Sequence, residues 1–128
     1  MGRVSDWQTL PLLAMKSTIS IDVTLDETRM PEDISWTASE SSFSEPRKAK
    51  AMILSFWDGE DKSALRIDLW TRKMMVDEMA DFFFQTMMSM ADTYERATRQ
   101  TELVNEMKRF AQEFHRKFQE TQIRENKA

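Results

Sequence analysis

Residues Leu65–Tyr94 read LRIDLWTRKMMVDEMADFFFQTMMSMADTY, and the spacing of the apolar side chains changes within this stretch. Leu65, Ile67 and Leu69 alternate with polar residues, which is typical of a half-buried β-strand. From Val76 onward, apolar residues recur every three or four positions, which is typical of an amphipathic helix. The members of this helical stripe are Val76, Met79, Phe83, Met87, Met90 and Tyr94. The stretch therefore predicts a chain that passes from a sheet into helices.

Three further strands are predicted upstream of this transition. Alternation of β-branched and polar residues predicts a first strand within Lys16–Leu25 and a second, shorter one at Ile34–Ala38. A continuous apolar run makes Ala49–Trp57 a third and more central strand. Together with the strand at Leu65–Trp70, these segments predict an antiparallel meander.

Polar and turn-forming residues separate the predicted strands. Asp26–Pro31 is expected to turn the chain, with the proline stopping any extension of the strand. Ser39–Pro46 is rich in Ser and Glu and predicts a solvated loop. Asp58–Asp61 predicts a hairpin turn in which Gly59 can take a positive φ.

The helical spacing resumes after a break at Thr98–Thr101, where either threonine can cap a second helix. The apolar positions of that helix are Leu103, Met107, Phe110, Phe114 and Phe118. The predicted fold is therefore α+β, with a four-stranded antiparallel sheet (a meander) followed by two long C-terminal helices. We expect residues 15–128 to form a single domain. Residues 1–14 are expected to be an extension outside the native domain, or alternatively an ordered arm packed on it.

The composition excludes several classes of protein. The 128 residues include no Cys, one His and two Gly, and the net charge is −4. Without Cys there are no disulfides, thiolate zinc sites or cysteine nucleophiles. The acidic balance argues against a nucleic-acid partner, and no apolar window is long enough to span a membrane. We expect no catalytic, cofactor-binding or metal-binding residue, and we interpret the single histidine, His115, as a solvated surface residue.

Apolar residues are concentrated at the start of the first helix, and they suggest a site for a protein partner. Six of the eleven methionines lie between Met74 and Met90, beside Phe82–Phe84. Phe83, Met87 and Met90 are assigned to the core stripe. This leaves Phe84 and Met88 as an apolar pair on an acidic flank of the helix. Met-rich surfaces adapt to different partners. The candidate partner-binding residues are Phe84, Met88, Trp70, Met74 and Met75. The alternative is that the second helix or the N-terminal arm covers Phe84.

Several blocks of the sequence resemble the GldC family of gliding-motility proteins. They are Thr18–Asp26 (TISIDVTLD), Leu65–Trp70 (LRIDLW), Val76–Met79 (VDEM) and Phe83–Thr98 (FFQTMMSMADTYERAT), the last being the most specific. The resemblance covers about residues 15–118. Met74-Met75 stands where the family pattern leads us to expect Met-Pro, which suggests a less rigid entry into the helix.

The resemblance implies a cytoplasmic, non-enzymatic accessory protein of bacterial gliding motility, a process tied to type IX secretion. The predicted order of strands and helices is also similar to that of the export chaperone SecB. That likeness suggests a chaperone-like or adaptor role, in which apolar grooves bind basic or apolar segments of client proteins of the gliding or secretion machinery. The alternative is a structural module that self-assembles into a homo-oligomer through the same residues.

Overall fold

The computed structural model describes residues 15–39 and 45–127. Five strands precede two helices, and the contacts divide the chain between Arg72 and Lys73 into a strand unit and a helix unit. This confirms the α+β class and the predicted order, while the single domain over residues 15–128 stays a prediction. Residues 1–14 and part of the Ser39–Pro46 loop lie outside the described residues.

The first three strands form one antiparallel ladder. β1 (Ile19–Leu25) pairs with β2 (Pro31–Ala38), and β2 also pairs with β3 (Arg47–Ala49). The fully buried residue of this ladder is Ile34, at the centre of β2. The central strand therefore supplies the core of the three-stranded sheet, as expected for a strand with a partner on either side.

Asp26 organises the turn between β1 and β2. Its Oδ1 accepts hydrogen bonds from the Thr28 hydroxyl at 2.7 Å, the Thr28 N–H at 2.8 Å and the Met30 N–H at 3.0 Å. Arg29 takes the left-handed conformation, with φ of 67°. The predicted turn is confirmed, since β1 ends at Leu25, but Pro31 already begins β2, a position where a missing N–H is tolerated.

The predicted third strand is divided at Lys50. Ala49, directly before Lys50, is the last residue of β3. After Lys50 the chain forms β4 (Ala51–Asp58), which pairs with β5 (Ser63–Trp70). The Lys50 carbonyl accepts hydrogen bonds from both the N–H and the hydroxyl of Thr71, at 2.8 and 2.9 Å, and Thr71 is buried. The prediction of one four-stranded sheet was therefore wrong, since the strands form a three-stranded and a two-stranded ladder.

The turn between β4 and β5 does not use its glycine as predicted. Asp58 Oδ1 accepts the Glu60 N–H at 2.9 Å and the Asp61 N–H at 3.3 Å. The residue with a positive φ is Lys62, at 53°, and not Gly59. An aspartate side chain can mimic a backbone turn in this way, so the conformational freedom of the glycine is not required.

The helix unit is a hairpin of two long antiparallel helices. α1 (Val76–Thr98) is preceded by its N-cap residue Met75, whose N–H donates to the Glu78 carboxylate at 3.2 Å. Its C-cap residue is Arg99, which is left-handed with φ of 58° and donates its N–H to the Glu95 carbonyl. α2 (Thr101–Lys127) follows directly. The Thr98 hydroxyl accepts the Gln100 N–H at 3.2 Å, a bond that tightens the junction but involves no N–H of α2. Since Thr98 ends α1 and Thr101 begins α2, the prediction that one of these threonines caps the second helix was wrong.

Small side chains form the seam between α1 and α2. The buried apolar residues of this unit are Ala80, Ala91, Val104 and Ala111. Small residues allow two helix backbones to approach closely, and larger side chains are then displaced to the two sides of the contact. This arrangement determines which large apolar residues remain accessible.

Candidate protein-binding surfaces

The apolar stripe that was predicted to be core is partly exposed on α1. Phe83 is 43% exposed and Met90 is 55% exposed, while Met87 is half-buried. The assignment of Phe83 and Met90 to the core was wrong because α2 lies against the side of α1 that carries Ala80 and Ala91. Consecutive residues of a helix point in directions roughly 100° apart. Ala91 therefore faces α2 while its neighbour Met90 points away from the seam.

Phe84 and Met88 are half-buried, and Phe84 contacts α2. The Phe84 ring stacks on the imidazole of His115, with 4.4 Å between ring centroids and 24° between planes. His115 Nε2 also lies 3.3 Å from Asp81 Oδ1. The structure thus has the arrangement in which the second helix covers Phe84. His115 is a partly exposed surface residue, with 28% of its side chain accessible, but one face of its ring is covered by Phe84.

A groove of about 660 Å³ runs along α1 on the helix unit. The described residues that line it are Phe82, Gln85, Thr86, Ser89, Met90, Thr93, Tyr94, Ala97 and Met107. We call this the helix groove. Its floor is apolar, its polar groups are hydroxyls and an amide, and none of these lining residues carries a formal charge. Such a lining suits an apolar segment whose backbone forms a few hydrogen bonds.

Met74 and Met75 lie at the entry to α1, apart from the helix groove. Met74 is half-buried and Met75 is exposed. The Met75 carbonyl accepts the Met79 N–H at 2.9 Å, which starts the helical ladder. Met75 is thus the N-cap residue of α1 and Met74 precedes it, and neither of these predicted residues lines the groove.

The two-stranded ladder carries a second accessible apolar surface in the strand unit. The pairing of β4 with β5 places six apolar side chains on one face, namely Met52, Leu54, Phe56, Leu65, Ile67 and Leu69. We call this the apolar hairpin face. Phe56, Leu65 and Ile67 are each more than half exposed. Trp70 is also exposed, but it points to the opposite face, which it shares with Trp57, Arg66 and Asp68.

Ion pairs lie beside the seam, both between the two helices and within α2. Lys108 Nζ lies 2.9 Å from Asp92 Oδ1, and the hydrogen bond and charge of Asp92 raise the pKa of Lys108 above its usual value. On α2 alone, the hydrogen bond from Arg116 lowers the pKa of Glu113. Charged groups thus lie beside the contact between the helices, whereas the residues that line the helix groove are uncharged.

The sequence did not identify the helix groove. Phe82, Thr86, Thr93 and Ala97 follow one another at helical spacing along one side of α1, but two of these residues are threonines and a hydrophobicity pattern passes over them. The available signal was the size of the apolar residues facing the seam: small residues at Ala80 and Ala91 require the large ones to lie elsewhere.

Comparison with known proteins gives one match. Residues 31–120 match the model of the GldC-like family, described as gliding motility-associated protein GldC-like. No curated protein and no solved structure matches the chain. Among the described residues, no helix is both long and apolar enough to cross a membrane, and no three His, Cys, Asp or Glu side chains are grouped to hold a metal ion.

Proposed function

Because the chain belongs to the GldC-like family of gliding motility-associated proteins, we propose that it serves gliding motility by binding another protein. In this proposal it is a cytoplasmic chaperone-like or adaptor protein linked to type IX secretion, and it carries out no catalysis. The predicted likeness to SecB is an analogy of element order, which by itself is weak support for a function. The accessible apolar surfaces carry the argument instead.

The observation that carries the proposal is the helix groove. Aromatic and methionine side chains, represented by Phe82, Met90 and Met107, provide its apolar contacts. Thr86, Ser89 and Thr93 provide hydroxyls that can donate hydrogen bonds to a peptide backbone or accept them from it. Methionine adapts its shape to different apolar side chains. The groove is thus suited to an extended client segment whose sequence varies at the apolar positions.

The charge of the chain favours one type of client. The net charge of the whole chain is −4, and since Asp92 on α1 is paired with Lys108, the preference rests on the charge of the chain as a whole. Charges outside a contact mainly accelerate association and select partners of opposite sign. We therefore infer a client segment with apolar residues flanked by lysine or arginine.

The direct test is the binding of fluorescent peptides measured by anisotropy. Peptides that combine an apolar segment with lysine flanks should bind the protein, and the same apolar segment with glutamate flanks should bind more weakly. Replacement of Met90 by glutamate should reduce affinity about tenfold or more, because an unpaired carboxylate in an apolar contact costs over 1.4 kcal/mol.

Ile123→Glu is the matched control for this variant. Ile123 is 55% exposed, the same fraction as Met90, but it lies near the end of α2 and does not line the groove. The control should bind peptides like the unmodified protein. Equal loss of binding in both variants, with circular dichroism showing intact helices, would contradict the assignment of the groove as the binding site.

A further inference from the structure

The free edge of β5 has a charge pattern that is complementary to itself. Among the described strands, only β5 carries both a basic and an acidic residue, Arg66 and Asp68. β5 pairs with β4 on one side only, so its other edge has no strand partner in the described part of the chain. An unpaired strand edge is a template for adding another strand.

The hydrogen bonds of the ladder show which residues face that edge. The Thr71 N–H donates to the carbonyl of Lys50, the residue directly before β4. Backbone groups alternate in direction along a strand, so Leu65, Ile67 and Leu69 direct theirs toward β4. Arg66 and Asp68, with Ala64 and Trp70, therefore direct their N–H and C=O groups toward the free edge.

We propose that a second copy of this chain binds there, with the two β5 strands antiparallel about a twofold axis at Ile67. Arg66 then lies opposite Asp68 of the second copy, and Asp68 opposite its Arg66. Leu65 lies opposite Leu69, and Ile67 opposite itself. Ala64 lies opposite Trp70, which places a small side chain beside a large one.

Other registers of the same pairing are unfavourable. A shift by two residues in either direction places Arg66 opposite Arg66 or Asp68 opposite Asp68, and like charges directly opposite each other destabilise a sheet. A shift by one residue brings the apolar hairpin face of one copy onto the charged face of the other. The twofold axis at Ile67 is therefore selected by charge and by side-chain direction together.

The exposure of the β4–β5 hairpin supports a second copy of the chain as the partner of β5. A two-stranded hairpin alone is marginally stable in water, whereas three or more strands with an apolar face are stable. Pairing of the two β5 strands gives a four-stranded sheet. This pairing also joins the two apolar hairpin faces into one continuous surface. This self-association uses β5 and does not rest on the proposed client site of α1.

Sedimentation of the full chain and of two charge-reversal variants tests the proposal. The unmodified protein should be a dimer. Arg66→Asp and Asp68→Arg should each weaken the dimer on the order of 100-fold, since each places like charges at two cross-strand positions. An unmodified protein that sediments as a monomer at all attainable concentrations would overturn the proposal.

The decisive measurement is an equimolar mixture of the two variants. In a mixed dimer, the acidic pair at positions 66 and 68 of one chain faces the basic pair of the other, so each contact is again between opposite charges. The mixture should form a heterodimer at concentrations at which each variant alone is monomeric, an outcome that shows that both variants fold.

Two results of this experiment contradict the register. One is a mixture that stays monomeric. The other is a dimer of either single variant as tight as that of the unmodified protein, which would place self-association on another surface. The ion pair that Arg66 makes with Asp68 within the same strand, at 3.0 Å, cannot restore a heterodimer, so the mixture separates the two roles of these residues.

Discussion

Truncation of adjacent residues on α2 tests the seam between the helices. Val104 is fully buried between α1 and α2, whereas its neighbour Leu103 is 52% exposed. Val104→Ala removes two buried carbon groups, worth about 1.6 kcal/mol of transfer free energy. The cavity that remains adds to this cost, and the better helix propensity of alanine offsets about 0.5 kcal/mol. We expect the free energy of unfolding to fall by about 2 kcal/mol.

Leu103→Ala should cost less although it removes more atoms. About half of this side chain is already in water, so we expect a loss of roughly 1 kcal/mol. The assay is urea unfolding of each full-length variant, followed by circular dichroism at a helical wavelength and at one low protein concentration. If Leu103→Ala destabilises the chain as much as Val104→Ala or more, Leu103 is covered and the seam is not the one described.

Three further predictions concern turns and a helix end. Arg99→Gly should raise the free energy of unfolding by about 0.5–1 kcal/mol, because glycine adopts the left-handed conformation without the strain that arginine bears there; Arg96→Gly, inside the helix, should lower it by about 1 kcal/mol in the same denaturation assay. Hydrogen bonds from the Thr28 side chain and the Met30 backbone hold the pKa of Asp26 below its usual value, so this carboxylate stabilises the fold above its unfolded-state pKa, and the stabilisation is lost as the pH falls through the folded-state pKa. The stability gap between the unmodified protein and Asp26→Asn should therefore be present at pH 7 and close in acid, and a gap independent of pH would contradict the role of the charge. Gly59→Ala should be neutral or stabilising by about 0.4–1 kcal/mol, because a Cβ at this position meets no atom within 4 Å and Gly59 has no positive φ. The thermal midpoint of unfolding measures the change in stability. Clear destabilisation would show that the turn needs the glycine.

The order of elements could be predicted from the sequence because the apolar period changes once, after Trp70. Strand alternation and helical spacing are local properties, and β1, β5 and both helices follow them closely. The division at Lys50 could not be predicted, since the run Ala49–Trp57 is continuously apolar and only the choice of pairing partner separates its two parts. Pairing depends on contacts distant in sequence, which a periodic pattern does not contain.

The candidate site was only partly predictable, for a different reason. Apolar residues occupy most of the circumference of α1, so hydrophobicity alone does not determine which side faces α2. Ala80 and Ala91 decide this, because their small size permits close approach of the helices. The pattern located the apolar excess on α1 correctly but assigned Phe83 and Met90 to the interior. It gave no indication of a groove lined in part by threonine and serine hydroxyls.

The division of the strand at Lys50 constrains how the chain can change in length. Inserting or deleting one residue between Ala49 and Met52 would leave the pairing of β4 with β5 unchanged, but it would turn the two faces of that ladder over relative to β3, since strand side chains alternate with a period of two. A change between Lys50 and Met52 would also remove the Lys50 carbonyl from its position opposite Thr71. The turn after Asp58 connects neighbouring strands at their ends and can change in length without altering either face. In an alignment of related sequences, we therefore expect gaps in this turn and an invariant number of residues from Ala49 to Met52.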